Sequence, residues 1–273
     1  MFIKSNKALF LTISLCVLAL VLTATLPKKP KTGLLWSDDF DGDKLDRRNW
    51  KVYVGNGCPE LCGFGNHELQ YYTDEPDNIK LKDGKLLITA LKQSKGLNHY
   101  TSAKILTKGR RSWKYGRIEV SARLPEGRGT WPAIWMLPER SKYGGWPSSG
   151  EIDIMEHVGY KQGKIYGTIH TESFNHMYNT QKSDSVMLTD ASEAFHEYAI
   201  EWREDRIDWF IDGEKYFTFN NSGKNSDDWP FDRSFHLILN VAVGGDWGGK
   251  EGIDDSIWPQ SMEIDYVRVY GLD

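Results

Sequence analysis

From Gly33 to the C-terminus, short runs of alternating apolar and polar residues recur, separated by turn dipeptides rather than by long polar stretches. Period-two alternation sends successive side chains to opposite faces of a strand, so Gly84–Ala90 (GKLLITA) and Tyr115–Leu124 (YGRIEVSARL) read as strands. Asp41-Gly42, Asp83-Gly84 and Asp212-Gly213 are turn signals. The last predicts a hairpin joining Arg206–Ile211 to Lys215–Phe219. Helical periodicity is nearly absent, with one short helix expected at Asp190–Phe195, where Asp190-Ala191-Ser192-Glu193 has the form of a capping box. The pattern predicts an all-β fold built as a two-sheet antiparallel sandwich.

One stretch breaks the alternation. In Gly150–Gly159 (GEIDIMEHVG), Glu151 and Asp153 share one face and Ile152 and Ile154 the other, but strict alternation then sends Met155 to the acidic face and Glu156 to the apolar one. A β-bulge resolves the conflict by taking up Met155 and returning Glu156 to the side of Glu151 and Asp153.

The chain of 273 residues is long enough for one large β domain, and its hydrophobic fraction of 40% with a net charge of −4 argues against disorder and against a nucleic-acid partner. Lys4 and Lys7 precede an apolar run from Ala8 to about Leu26, followed by Pro27-Lys28-Lys29-Pro30-Lys31. Residues 1–26 therefore read as an export signal, either a cleaved signal peptide or an uncleaved membrane anchor, with 27–33 a short linker and 34–273 the folded domain. Beyond that segment only Cys58 and Cys62 remain, read as a local disulfide, with two free thiols as the alternative.

Two readings of Glu151, Asp153 and Glu156 stand side by side: a solvated acidic strand face, or the carboxyl pair of a glycosidase with a third carboxyl tuning it. The tripeptide alone decides nothing, since Glu263-Ile264-Asp265 repeats it without a third carboxylate. Aromatic residues shift the balance. A sugar ring packs an apolar face on indole, and Trp131, Trp135 and Trp146 lie just upstream of the carboxylates while Trp247 sits in a glycine-flanked loop, Gly244–Gly249. No Gly-x-Ser-x-Gly elbow, phosphate loop or His-Glu-x-x-His motif competes, and His157, His176, His196 and His236 read as structural or exposed.

The segments Leu35–Gly42, Gly65–Thr73, Lys114–Glu119, Trp131–Pro138, Phe195–Trp202 and the bulged Glu151–Glu156 motif together resemble glycoside hydrolase family 16, in particular its bacterial laminarinase-like endo-β-1,3-glucanases. The resemblance implies a β-jelly roll with a concave glucan cleft and no catalytic cofactor. It implies a retaining double displacement with Glu151 as nucleophile, Glu156 as acid/base and Asp153 as their electrostatic helper, which requires carboxyl groups about 5 to 5.5 Å apart. Asn66, Trp131, Trp135, Trp146, His170, Asn240 and Trp247 correspond to cleft residues. Asp39, the carbonyl of Gly84 and Asp265 correspond to ligands of a structural calcium. His67, where relatives usually carry Asn, and the Cys58–Cys62 insertion depart from the pattern at the cleft edge. The expected activity is endo-hydrolysis of β-1,3-glucan by an exported monomer. The alternatives are a mixed-linkage β-1,3-1,4-glucanase or another family 16 hydrolase, and a non-enzymatic β-glucan-binding protein.

Overall fold

The computed structural model describes residue 1 and residues 33–273, so the apolar run read as an export signal and most of the linker lie outside the described residues. In chain order the strands are β1 (Leu34–Asp38), β2 (Lys51–Tyr53), β3 (Gln70–Tyr72), β4 (Ile79–Lys82), β5 (Lys85–Ala90), β6 (Tyr100–Ser102), β7 (Lys104–Leu106), β8 (Gly116–Arg123) and β9 (Thr130–Pro138). They continue with β10 (Glu151–His157), β11 (Lys164–His170), β12 (Lys182–Met187), β13 (His196–Trp202), β14 (Arg206–Ile211), β15 (Glu214–Asn220), β16 (Phe235–Val243) and β17 (Gln260–Tyr270).

Two large antiparallel sheets form the body, as the alternation predicts. One runs β15-β14-β13-β8-β17-β5-β4, with β1 also paired to β17, and the other runs β12-β11-β10-β9-β16-β7-β2. The inward faces of both meet in one core that includes Ile118, Val120, Ile200 and Trp202 from the first sheet and Ile134, Ile152, Leu237 and Leu239 from the second. Each such side chain contributes about 1.5–3 kcal/mol by leaving water. β16 is buried along its whole length, because one face meets this core and the other lies under the cleft.

The turn chemistry is realised at two of the three Asp-Gly pairs, Asp41-Gly42 forming a bend without positive φ. Asp83-Gly84 and Asp212-Gly213 both adopt positive φ, 52° and 66°, then 51° and 86°, the paired left-handed geometry of a two-residue hairpin. They join β4 to β5 and β14 to β15.

Two local expectations change. No helix forms at Asp190–Phe195. The amides of Glu193 and Ala194 both donate to the Asp190 carbonyl, making a single turn. Only eight residues separate β12 from β13, and Ala191 is fully buried with its carbonyl accepting from Leu124 N, so the segment is pinned before a second turn can offset the cost of nucleation. Gly244–Gly249, by contrast, contains a four-residue helix, α1 (Gly245–Gly248).

Candidate active site

The pairing register of β10 holds the bulge. Against β9, Asp153 faces Trp135 and Met155 faces Ile134, leaving Ile154 without an opposite residue. Against β11, Asp153 faces Thr168 and Glu156 faces Tyr166, so Ile154 and Met155 together oppose Gly167. Where Met155 alone was expected to be absorbed, both residues of the pair turn inward, at 2% and 0% exposure. Glu151, Asp153 and Glu156 then line one cavity, which answers the choice between a solvated face and a site: Asp153 is only 3% exposed.

Neighbouring residues make the bulge possible. The carbonyl of Asp153 accepts from the indole Nε1 of Trp209, on β14 of the other sheet, at 2.8 Å. That indole passes directly over Gly167, where a Cβ would lie 2.5 Å from Trp209 Cδ1. Just before β10, Gly150 sits at φ 87° with space for no side chain, since a Cβ there would come within 2.9 Å of Phe231. The chain thereby swings from the Trp146 loop into the catalytic strand.

Each terminal glutamate is held by one indole. Trp146 Nε1 donates to Glu151 Oε2 at 3.0 Å, and Trp131 Nε1 donates to Glu156 Oε1 at 3.1 Å. Burial raises all three carboxyls. Glu151 is pushed up to about 8 by desolvation and then by the charge of Glu156, with the Trp146 bond opposing; Glu156 is pushed up to about 7 by desolvation, with the Trp131 bond opposing. Asp153 is raised well above the carboxylate range by desolvation and by both glutamates. The three titrate as a set that retains protons near neutrality.

His170 closes this end, its Nε2 lying 3.5 Å from Asp153 Oδ2 and 3.8 Å from Glu151 Oε1. Burial, then the neighbouring His176, pushes it down to about 3, so it meets the carboxyls as a neutral ring rather than as an ion-pair partner.

The cavity has a volume of 620 Å³ and runs from the carboxyls across β9 and β16 towards β7. Trp131, Trp135, Trp146, Asn66 and Asn240 line it as expected. Asn240 also orients its neighbours: its Oδ1 accepts from Trp135 Nε1 at 2.7 Å and its Nδ2 donates to the Tyr72 hydroxyl at 3.1 Å. Trp247, expected in the cleft, does not line this cavity and instead stands edge-on to Trp131 at 5.5 Å and to Tyr166 at 5.1 Å between ring centres. The remaining tryptophans include the core members Trp50, Trp202 and Trp209, all fully buried.

Several cleft residues carry no distinctive sequence signal. Lys104, from β7, reaches over Phe64 at 4.7 Å and Trp135 at 4.8 Å, and its ammonium is pushed down by burial with the charges of Glu68 and Glu151 opposing. Glu68 accepts from Gln70 Nε2 at 2.7 Å. A lysine inside Tyr100–Leu106 and a glutamate two residues after Asn66 were the available hints. His157, His196 and His236 are buried, and His176 is exposed at the cleft mouth, its ring 5.0 Å from Trp146.

The departures from the family pattern sit together at the far edge. Cys58 and Cys62 are joined by a disulfide, and the segment around it brings Leu61, Phe64 and Gly65 to the cleft. His67 Nδ1 lies 2.9 Å from both carboxylate oxygens of Asp246, tying this edge to α1. Asp39, Gly84 and Asp265 lie outside the cleft, associated with the other sheet. Asp39 follows β1, Gly84 is in the β4–β5 turn, and Asp265 is the extra residue of a bulge in β17. Arg268 donates to Asp39 Oδ1 at 2.6 Å, and Glu263 accepts from Arg123 at 2.6 Å, so the second Glu-Ile-Asp is engaged structurally.

Among characterised proteins, the chain is 47% identical to a beta-glucanase of Rhodothermus marinus over 89% of this chain and 86% of that one. The crystal structure of a laminarinase from the same organism superimposes with a TM-score of 0.85 at 46% identity, covering 89% of this chain and 99% of the other. A non-specific endo-beta-1,3(4)-glucanase superimposes with a TM-score of 0.80 at 41% identity, over 87% and 90% of the two chains. The model of the glycosyl hydrolases family 16 matches residues 66–268, which include the bulged strand and most strands of both sheets. With three carboxyls gathered by a bulge in an aromatic cleft and that match over most of its length, the chain belongs to glycosyl hydrolase family 16.

Proposed function

We propose that the protein cleaves internal β-1,3 bonds of a glucan with retention of configuration. The observation that carries this reading is the β10 bulge, which sets Glu151, Asp153 and Glu156 on one wall of an aromatic cleft. With Trp146 occupying Oε2 of Glu151, the other oxygen attacks the anomeric carbon. With Trp131 holding Oε1 of Glu156, the remaining oxygen carries the proton to the leaving oxygen and later takes one from water. Asp153 keeps its own proton and relieves the charge that would otherwise build between the glutamates. Sugar rings lie on Trp131 and Trp135, and the cleft's length across several strands supports endo action.

The test is product analysis on laminarin, curdlan, lichenan and agarose in parallel. Long oligosaccharides appearing before glucose from laminarin support the reading, while glucose or one disaccharide alone from the earliest times excludes endo action. Faster release from lichenan favours the mixed-linkage alternative, for which the non-specific relative is the precedent. Binding without turnover moves the protein to the glucan-binding class.

Three finer points belong to the same proposal. The apolar N-terminal run and the Cys58–Cys62 bridge support export to an oxidising compartment. The proposed state is a monomer, and the protein's mass in solution tests it. The carboxylates of Asp39 and Asp265 with the Gly84 carbonyl offer the oxygen set of a hard cation, Asp39 sharing its charge with Arg268. A calcium bound there raises the melting temperature by mass action, and a melting curve unchanged by chelator, with no metal found by elemental analysis, removes it.

A further inference from the structure

The residues that face the nucleophile also have the makings of a different site. Glu151, Asp153 and His170 each offer one ligand atom, and the three atoms lie within 4.8 Å of one another. The two shorter edges, 3.5 Å from His170 Nε2 to Asp153 Oδ2 and 3.8 Å from His170 Nε2 to Glu151 Oε1, are close to the spacing of ligands around a small tetrahedral cation. Zinc bonds of about 2.0–2.1 Å place ligand atoms roughly 3.3 Å apart, so the two edges at His170 need a few tenths of an ångström, while the Glu151–Asp153 edge, within 4.8 Å, closes by side-chain rotation.

A second, independent feature points inward. Asp153 is 3% exposed, yet its Oδ2 has no hydrogen-bond partner, an uncommon state for a buried carboxyl oxygen. His170, 7% exposed, turns Nε2 to the same point. Two carboxylates and an imidazole are a borderline donor set, suited to zinc rather than to calcium or magnesium. Three protein ligands leave the fourth position to water.

We propose that Glu151, Asp153 and His170 bind a zinc ion reversibly, and that this ion shuts the enzyme off by engaging the nucleophile's carboxylate in competition with the glucan. The inhibitory part rests on the glucanase reading, whereas the binding part stands on geometry alone. His170 Nδ1 has no partner, so the ring lacks the outer hydrogen bond that strengthens zinc histidines, and the ion is exchangeable. No bond in the substrate changes: zinc displaces to solvent the protons that Glu151 and Asp153 hold and takes the lone pair that would attack the anomeric carbon, and its departure with reprotonation restores the site.

The experiment has two arms on the full folded protein. In the first, cobalt(II) is titrated as a spectroscopic stand-in for zinc. The expected result is one equivalent of the intense visible bands of a four-coordinate ion, displaced by zinc and lost in His170→Ala. Glu151→Gln, which keeps the shape of the site, guards against a folding defect in the histidine variant and should lose the bands as well. In the second, zinc is titrated into laminarin hydrolysis, where it should raise KM with kcat unchanged, and His170→Ala should raise its inhibition constant about tenfold or more. Absent cobalt bands, or bands that survive both substitutions, overturn the site. Bands without any laminarin turnover leave the metal site standing and sink the glucanase reading. Noncompetitive zinc inhibition unaffected by His170→Ala overturns the competition and places the inhibitory ion elsewhere.

Discussion

The indole Nε1 of Trp209 donates to the backbone carbonyl of Asp153 at 2.8 Å, a bond that reaches from one sheet of the sandwich to the catalytic strand of the other. The bulge interrupts the regular ladder at Asp153, and a buried carbonyl left unpaired costs about 1–3 kcal/mol. Trp209→Phe keeps most of the packing and removes the donor, so it should lower stability by that amount and lower kcat more than KM. Gly167→Ala should act in the same direction by displacing the indole. Melting curves and steady-state kinetics on both variants check this; unchanged values in both mean that the bulge holds itself.

The two indole clamps predict opposite ends of a pH profile. An N–H bonded to a carboxylate favours its charged form, so removing it raises the pKa. Trp146→Phe should raise the pKa of Glu151 and Trp131→Phe that of Glu156, so each should move a different limb of the kcat/KM profile to higher pH. Two variants that shift the same limb would show that the roles are not divided as assigned.

Replacing the glutamates separates nucleophile from acid/base. Glu151→Ala should abolish turnover, yet accept an α-glucosyl fluoride donor whose configuration mimics the covalent intermediate. Glu156→Ala should be rescued by azide on an activated aryl glycoside, giving a β-azide, and Asp153→Asn should weaken activity and shift the profile without abolishing it. An α-azide from the Glu151 variant, with no rescue at Glu156, exchanges the two roles.

Buried carboxyls also predict a stability gain on removing charge. Glu151 lies at about 8 in the folded protein, above its ordinary value, so its contribution is fully present below the unfolded pKa of about 4.3 and is lost as pH rises through 8. At pH 5 the folded side chain is protonated and Glu151→Gln changes little; at pH 9 the substitution removes a buried charge. The melting temperature of the variant should exceed that of the wild type more at pH 9 than at pH 5. Equal differences at the two pH values would falsify the raised pKa.

Local patterning carried most of the architecture. Alternation in Gly84–Ala90 and Tyr115–Leu124 and the Asp-Gly turns predicted β5, β8 and two hairpins, because side-chain period and positive φ are properties of a few neighbouring residues. The misplaced acidic phase of Glu156 announced the bulge for the same reason. Other features waited on tertiary structure. The single turn at Asp190 follows from a buried Ala191 and its bond to Leu124, distant in sequence. Lys104 and Glu68 enter the cleft because β7 and the disulfide-flanking segment arrive beside β16 and β9, and no local pattern marks a lysine that faces a site across strands. Asn240 was legible as a cleft residue, but its hold on Trp135 was not. The chain alone determined which carboxylates share a face, since spacing and the bulge are local. Their partners, Trp146, Trp131, His170 and the Trp209 indole passing over Gly167, were decided by folding, since hydrogen bonding and desolvation depend on what the two sheets bring together in space.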